Sequence, residues 1–168
     1  SLKGKVFSLR DGDNTTIINR PGTEEPANAL EVVILDIGPS SDRKVNAKVW
    51  YASGYEGARA DKPDCSSVDG VKPTTQSKNK QAEKCELCPK NVWGTGDKGE
   101  GTECRSSKRL AIAMPDKLDR PMLLVVPPTS LGGLGEYLQW LKKSGVQDSA
   151  HVITKISFDY TVAHQKLT

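Results

Sequence analysis

The segment LEVVILDIGP, residues 30–39, decides the fold class. Its first eight residues are rich in β-branched side chains and end at the turn pair Gly38-Pro39, which predicts a buried strand closed by a turn. After a short polar stretch, VNAKVWYA at 45–52 alternates between two faces in the manner of a strand. The two segments together predict an antiparallel hairpin.

Four more segments carry strand patterns, namely 2–9, 108–114, 121–126 and 151–162. Between the last two, the sequence after Pro127 and Pro128 predicts a helix. Thr129 or Ser130 can cap it, Gly145 can end it, and leucines share one face at positions 131, 134, 138 and 141. A strand–helix alternation typical of a doubly wound sheet is not found in the sequence. We therefore expect a mainly β protein, an OB-like barrel with one helix in its C-terminal half.

Residues 53–107 show no strand pattern, are polar, and contain all four cysteines of the chain. A structureless loop of this length is uncommon in a small domain, so something other than an apolar core should organise it. The predicted organisation is a single OB-like domain over residues 1–168 with an inserted cysteine-rich subdomain at 53–107.

The cysteines are spaced so that they can serve as metal ligands: Cys65, Cys85, Cys88 and Cys104. The pair at 85 and 88 is a two-residue knuckle, which lets two thiolates point at one tetrahedral ion. Four thiolates complete the coordination of a structural Zn²⁺, and a metal would order a segment that lacks its own core. Free cysteines or a disulfide pair are the alternatives, and a reducing compartment favours zinc.

Other chemistry finds no support in the sequence. The knuckle lacks the βαβ context of a thioredoxin-like motif, and the His-x-Glu element of zinc deaminases is absent. The glycine-rich run at 94–101 lacks the lysine spacing and flanking elements of a phosphate-binding loop. His151 and His164 are interpreted as ordinary strand or surface residues. We expect a protein that is not an enzyme.

Lys48 and Trp50 suggest a nucleic-acid contact, because alternation places them together, opposite Val45 and Val49. An aromatic ring beside a cation on a sheet suits single-stranded nucleic acid, since the ring stacks on a base and the cation meets a phosphate. A shifted register, with Trp50 in the core, is the alternative. Further candidate contacts lie in and around the cysteine region: Tyr55, Arg59, Lys90, Trp93, Arg105 and Arg109.

Trp93 and the charges around it leave two interpretations open. The ring either packs over the metal module or presents a flat face to a ligand, and packing is the more ordinary role. Acidic residues interleave with the basic ones, so the region is a mixed-charge surface. The formal net charge of +3 allows a polyanionic partner without demonstrating one.

The string C-x-x-C-P-x-N-x-W-G, followed by glycines and a cysteine with basic residues, resembles tailed-phage single-stranded DNA-binding proteins. Here it begins at Cys85 and runs through Asn91 and Trp93 to Cys104 and Arg105. The PPTSL segment at 127–131, Tyr137 and Leu138 of the helix, and the V-x-T-K start of the last strand at 152–155 are also similar. One departure is the ending AHQKLT, where many single-strand-binding proteins carry an acidic tail.

The resemblance implies an OB-fold with a zinc-binding insertion whose ligands are the four cysteines. It also implies coating of phage single-stranded DNA during replication or recombination, without sequence specificity, in the cytoplasm of an infected bacterial host. Phage or host replication proteins are further possible partners. The alternative function is a zinc-stabilised protein-interaction module of the replication or assembly machinery. No apolar run approaches the roughly 20 residues that span a bilayer, so we expect no membrane partner.

Overall fold

The computed structural model describes residues 5–38, 47–54, 62–162 and 166–168. The chain divides into two compact units. Unit 1 comprises Ser1–Asp36 and Leu110–Thr168, and unit 2 comprises Ile37–Arg109. All four cysteines belong to unit 2.

Unit 1 begins with a hairpin of two short antiparallel strands, β1 (Ser8–Asp11) and β2 (Asn14–Ile17). Its turn contains Gly12, whose φ of 58° lies in the left-handed region that glycine favours. All eight strand residues are exposed, so the pattern that usually reveals a strand, one apolar face, is missing. Because this pattern is missing, the sequence predicts the first strand at 2–9, several residues before β1, and does not predict β2.

The centre of unit 1 is β3 (Ala29–Asp36), the strand expected at 30–37. It pairs antiparallel with β8 (Ile153–Ser157) on one side and with the second half of β6 (Arg105–Met114) on the other. Val32 and Ile34 are almost fully buried, and Leu110 and Ile112 of β6 complete the same core. The register with β6 shifts between Ile34 and Asp36, which marks a bulge.

The strand β7 (Lys117–Val126) follows β6 through a tight turn and pairs with it. Among the described strands it pairs with β6 alone, so it lies at a sheet edge. Most of its length is exposed, including Leu118, Leu123 and Val125, and Pro121 lies at its middle. Only its end, at Val126, enters the core.

The predicted helix is confirmed as α1 (Leu131–Lys143). Ser130 occupies the N-cap position, but its hydroxyl accepts a hydrogen bond from the Leu167 amide (2.7 Å) instead of capping the helix. Leu141 is buried, and Gly145 ends the helix with a φ of 85° while its amide donates to the Lys142 carbonyl. The glycine is required there because this backbone conformation is strained for other residues.

Unit 2 contains β4 (Ala47–Trp50) and β5 (Cys65–Ser67), which pair antiparallel. β4 also pairs with the start of β6, from Arg105 to Ser107. The expected hairpin between 30–37 and 45–52 is therefore wrong, since β3 pairs with β6 and β8 while β4 pairs with β5 and β6. The reason is the length of β6, whose ten residues offer separate segments to the two strands.

The fold class is confirmed at the level of a mainly β protein with antiparallel sheets and one α-helix. Closure of the strands into a barrel is not seen among the residues that the structure describes. In the same residues no helix is both long and apolar enough to cross a membrane.

Candidate functional site in the cysteine-rich unit

The loop between β5 and the knuckle is organised by hydrogen bonds from side chains to backbone. The Asp69 carboxylate accepts from the Val71 amide (2.8 Å), and the Ser67 hydroxyl accepts from the Gly70 amide (3.0 Å). The Val71 bond is the main reason that the pKa of Asp69 lies below its ordinary value. Ser77 Oγ accepts from the Ser66 amide (3.0 Å). These bonds take the place of the apolar core that the composition lacks.

The knuckle is a single turn of 3₁₀ helix, Cys85–Leu87. The Cys88 amide donates to the Cys85 carbonyl (3.4 Å), and the Asn91 amide donates to the Cys88 carbonyl (2.9 Å). The Asn91 side chain also donates through Nδ2 to the Cys85 carbonyl (2.9 Å), and this hydrogen bond stabilises the turn. The Cys85 amide donates to the Val71 carbonyl (2.8 Å), which attaches the knuckle to the preceding loop.

The glycine-rich loop returns the chain to the knuckle. The Gly94 amide donates to the Gly101 carbonyl (2.7 Å), and the Cys104 amide donates to the Lys90 carbonyl (2.8 Å). A Cβ atom on Gly96 would lie 2.1 Å from the Glu100 carbonyl oxygen, so only glycine fits there. The close backbone approach is what brings Cys104 beside Cys85 and Cys88.

The four cysteines line one small cavity together with Lys48 and Trp50. Its volume of about 20 Å³ suits a single water molecule or ion. All four are free thiols, and three of them are buried: Cys85, Cys88 and Cys104. The structure thus brings the predicted ligand set to one place without a disulfide.

The donor chemistry around this cavity suits a zinc site, because four cysteine thiolates are one of the usual ligand sets of structural zinc. The positions of the side chains match a zinc site less well than their chemistry does. In the described part of the chain, no three Cys, His, Asp or Glu side chains are placed so that they could hold a metal ion. The four cysteines are therefore suitable ligands for Zn²⁺ by type, whereas their side chains do not form a zinc coordination shell here. Zinc binding stays a prediction.

Burial favours the protonated form of two of these thiols, those of Cys85 and Cys104. Burial raises the pKa of Cys104 to about 11, and the nearby Lys48 ammonium opposes this rise. Burial also raises the pKa of Cys85, against the opposing effects of the Ser67 hydroxyl and Lys48. Because the thiolate is the form that binds a metal, an ion entering this cavity would displace protons.

Trp50 is part of a buried cluster beside the cysteines. It is only 9% exposed, and its indole N–H donates to Glu103 Oε2 (3.1 Å). Lys90 Nζ pairs with the same carboxylate oxygen (2.8 Å) and lies 5.4 Å from the centre of the Trp50 ring. Hydrogen bonds from Lys90 and Trp50 lower the pKa of Glu103. The expected exposed Trp50 is therefore wrong, because the cysteine region packs over the ring.

The other residues predicted to contact nucleic acid lie in several different environments. Lys48 Nζ donates to Asn91 Oδ1 (2.7 Å) and Ser106 Oγ (2.8 Å), which holds its ammonium inside unit 2. Arg105 is exposed and Arg109 is half-buried, both on β6. Tyr55 and Arg59 lie outside the described residues.

Among the residues of unit 2 that the structure describes, Trp93 is the most exposed large apolar side chain, at 80%. Leu87, in the knuckle, and Val92 are also exposed, at 74% and 56%. Of the two roles considered for Trp93, presenting its face to a ligand is the one that this exposure favours. The sequence analysis missed Leu87 and Val92, although apolar side chains in a polar loop without a core are a usable signal.

Comparison with known proteins assigns no family. No protein-family model matches the chain, and neither curated proteins nor solved structures give a significant match.

Proposed function

We propose that this protein binds single-stranded DNA without sequence specificity and without enzymatic activity, coating it during phage replication or recombination. The observation that carries the proposal is the 80% exposed Trp93 ring, presented by a loop that hydrogen bonds hold in place. An exposed ring on an ordered support is a stacking platform for bases, and stacking tolerates any sequence because every base has a flat face. The resemblance of the motif around Trp93 to tailed-phage single-stranded DNA-binding proteins points the same way.

The charge of the cysteine-rich part of unit 2, residues 62–109, supports a phosphate backbone as the partner. Residues 62–109 contain ten Lys or Arg and seven Asp or Glu, which gives a net charge of +3, as large as that of the whole chain. Lys48 and Lys90 are engaged within the unit, so we assign phosphate contact to exposed lysines of the same unit such as Lys80 and Lys98. Contacts of this kind release counterions and make binding salt-dependent.

Zinc is the proposed organiser of the platform. Closing the four thiols on one ion would fix the knuckle and Cys104 relative to each other, and hence the loop that carries Trp93 between them. The ion supplies structure rather than chemistry, since four cysteine ligands leave no open coordination position. The finer fold, an OB-like barrel carrying this insertion, belongs to the same proposal.

Fluorescence anisotropy with a labelled dT oligonucleotide at low salt tests the function. We expect Trp93→Ala to weaken binding by about 5- to 150-fold, because a stacked base contributes about 1–3 kcal/mol. Val68→Ala is the matched control, since Val68 is a 57% exposed apolar residue elsewhere in unit 2, and it should bind like the wild type. Raising the salt concentration should weaken the wild type steeply. No binding by the wild type at low salt would refute the proposal.

A protein-interaction module is the second candidate, and the exposure of Leu87 and Val92 beside Trp93 favours it. Docking of a protein would use all three apolar side chains, whereas base stacking needs the ring. Leu87→Ala therefore separates the two functions. It should leave DNA affinity unchanged if the platform binds bases. It should abolish pull-down of replication proteins from nuclease-treated extract, as Trp93→Ala would, if the platform binds protein.

A further inference from the structure

The second half of α1 carries an ordered aromatic pair in unit 1. The ring centres of Tyr137 and Trp140 lie 6.1 Å apart with an interplanar angle of 24°, so the rings are stacked. The Tyr137 hydroxyl is hydrogen-bonded to Thr154 Oγ1 of β8 (2.7 Å), and this bond holds the Tyr137 ring against the sheet. Trp140 rests on this fixed ring while 59% of its surface remains exposed.

A cation continues the same row. Residues three apart lie next to each other on a helix, so Tyr137, Trp140 and Lys143 form one line along the surface. Lys142 and Lys143 are both exposed in the last turn. The row therefore presents an exposed indole face followed, at the distance of one helical turn, by a positive charge.

The charge and the composition of the row favour a nucleic-acid strand over an apolar protein surface. A protein-docking helix presents aliphatic side chains beside its aromatic anchor. Here Leu141 is buried, and the exposed residues three or four positions from Trp140 on the helix are Glu136, Lys143 and Ser144. Two cations at one end of the row complement phosphates, and the acidic Glu136 lies at the other end.

We propose that the row Tyr137–Trp140–Lys143 is a second contact for single-stranded nucleic acid, in unit 1 and separate from the Trp93 platform. One base stacks on the exposed face of Trp140, and the Lys143 ammonium meets an adjacent phosphate. This inference rests on the proposed function. It assigns a nucleic-acid contact to α1, where the sequence pattern indicates only a stripe of leucines facing the core. The indole is already held against Tyr137, so binding orders few additional side-chain torsions.

Tryptophan fluorescence can observe this contact directly, because the chain has only three tryptophans and Trp50 is buried. Trp93→Phe leaves Trp140 as the exposed emitter, and Trp140→Phe leaves Trp93. Titration with a dT oligonucleotide should quench the emission of both variants. Both substitutions are at exposed positions, and circular dichroism checks that the fold is intact.

Affinity measurements give the second readout. Trp140→Ala should weaken binding of the dT oligonucleotide at least about fivefold. Lys143→Gln should reduce the slope of log affinity against log salt by about one. Gln139→Ala is the matched control, because Gln139 is exposed on α1 beside the row but not in it, and this variant should bind like the wild type.

The two proposals fail in different ways. If the Trp93→Phe protein binds DNA by anisotropy while its emission stays unchanged, and Trp140→Ala binds like the wild type, the second contact is overturned and the DNA-binding function stands. If the wild type binds no single-stranded DNA at low salt, the function itself is refuted. Quenching in both variants with loss of affinity in Trp140→Ala supports the inference.

Discussion

At the scale of single residues, the two tryptophans of unit 2 show how position decides role. Trp50 lies on a strand whose outer face is covered by the cysteine region, and its N–H finds a carboxylate there. Trp93 lies on the loop between the knuckle and Cys104 and is 80% exposed. The same side chain thus contributes packing in one place and a free aromatic face in the other.

Asp159 provides a prediction about pH. Its pKa lies well below the ordinary value of 3.8, chiefly because the Thr161 hydroxyl donates to it (2.5 Å), with Lys166 Nζ at 3.0 Å as the next cause. A lowered pKa means that the folded state favours the carboxylate. The resulting stability is present above about pH 4 and is lost as the pH falls further.

Asp159→Asn should therefore lower the melting temperature at pH 7, and its difference from the wild type should shrink between about pH 4 and pH 2. Thermal unfolding at several pH values measures this. Glu24→Gln, a change at an exposed carboxylate of unit 1, is the control and should follow the wild type. A constant difference between Asp159→Asn and the wild type across this range would contradict the assignment.

At the scale of elements, two glycines allow a paired prediction. Neither Gly96 nor Gly132 has a positive φ, so the backbone φ suits alanine at both positions, and the space around each Cβ decides the effect of a substitution. Around Gly132 in α1 a Cβ atom meets nothing within 4 Å, and Gly132→Ala should stabilise the protein by about 0.5–1 kcal/mol through helix propensity.

Gly96→Ala should have the opposite effect, because its Cβ would collide with the Glu100 backbone. We expect a lower free energy of unfolding and weaker DNA binding, since the loop next to Trp93 must shift. Urea denaturation and anisotropy measure the two effects. A Gly96→Ala protein as stable as the wild type would show that this close approach is not needed.

The elements also show what the sequence could and could not predict. Apolar periodicity placed β3, and the prolines, leucine stripe and terminal glycine placed α1, because local patterns determine these elements. The pairing of β3 with β6 and β8 depends on contacts distant in sequence, so the adjacent hairpin was expected instead. The cysteine spacing predicts that the four cysteines lie together. The burial of Trp50 could not be predicted in this way, because it depends on the cysteine region packing over the ring.

At the scale of the whole molecule, the division into two units makes zinc dependence local. If the ion organises unit 2, chelation should increase amide hydrogen exchange across residues 62–104. It should leave β3 and β8 of unit 1 protected, because their core consists of apolar side chains such as Val32 and Ile34.

Hydrogen exchange with mass spectrometry, before and after a strong chelator, makes this measurement. Elemental analysis of the same sample should find about one zinc per chain, and Cys85→Ser with Cys88→Ser should remove it. A protein that contains no metal and shows the same exchange with and without the chelator would rule out zinc as the organiser.

The edge strand β7 has a consequence for handling the protein at high concentration. An edge that exposes Leu118, Leu123 and Val125 invites pairing with another chain and growth of aggregates. Pro121 interrupts this edge, since it has no amide hydrogen to donate, and Lys117, Asp119 and Arg120 add charge beside it. We therefore expect the charged start of β7 and Pro121 to make this edge a poorer template for pairing with another chain than an uninterrupted apolar edge would be.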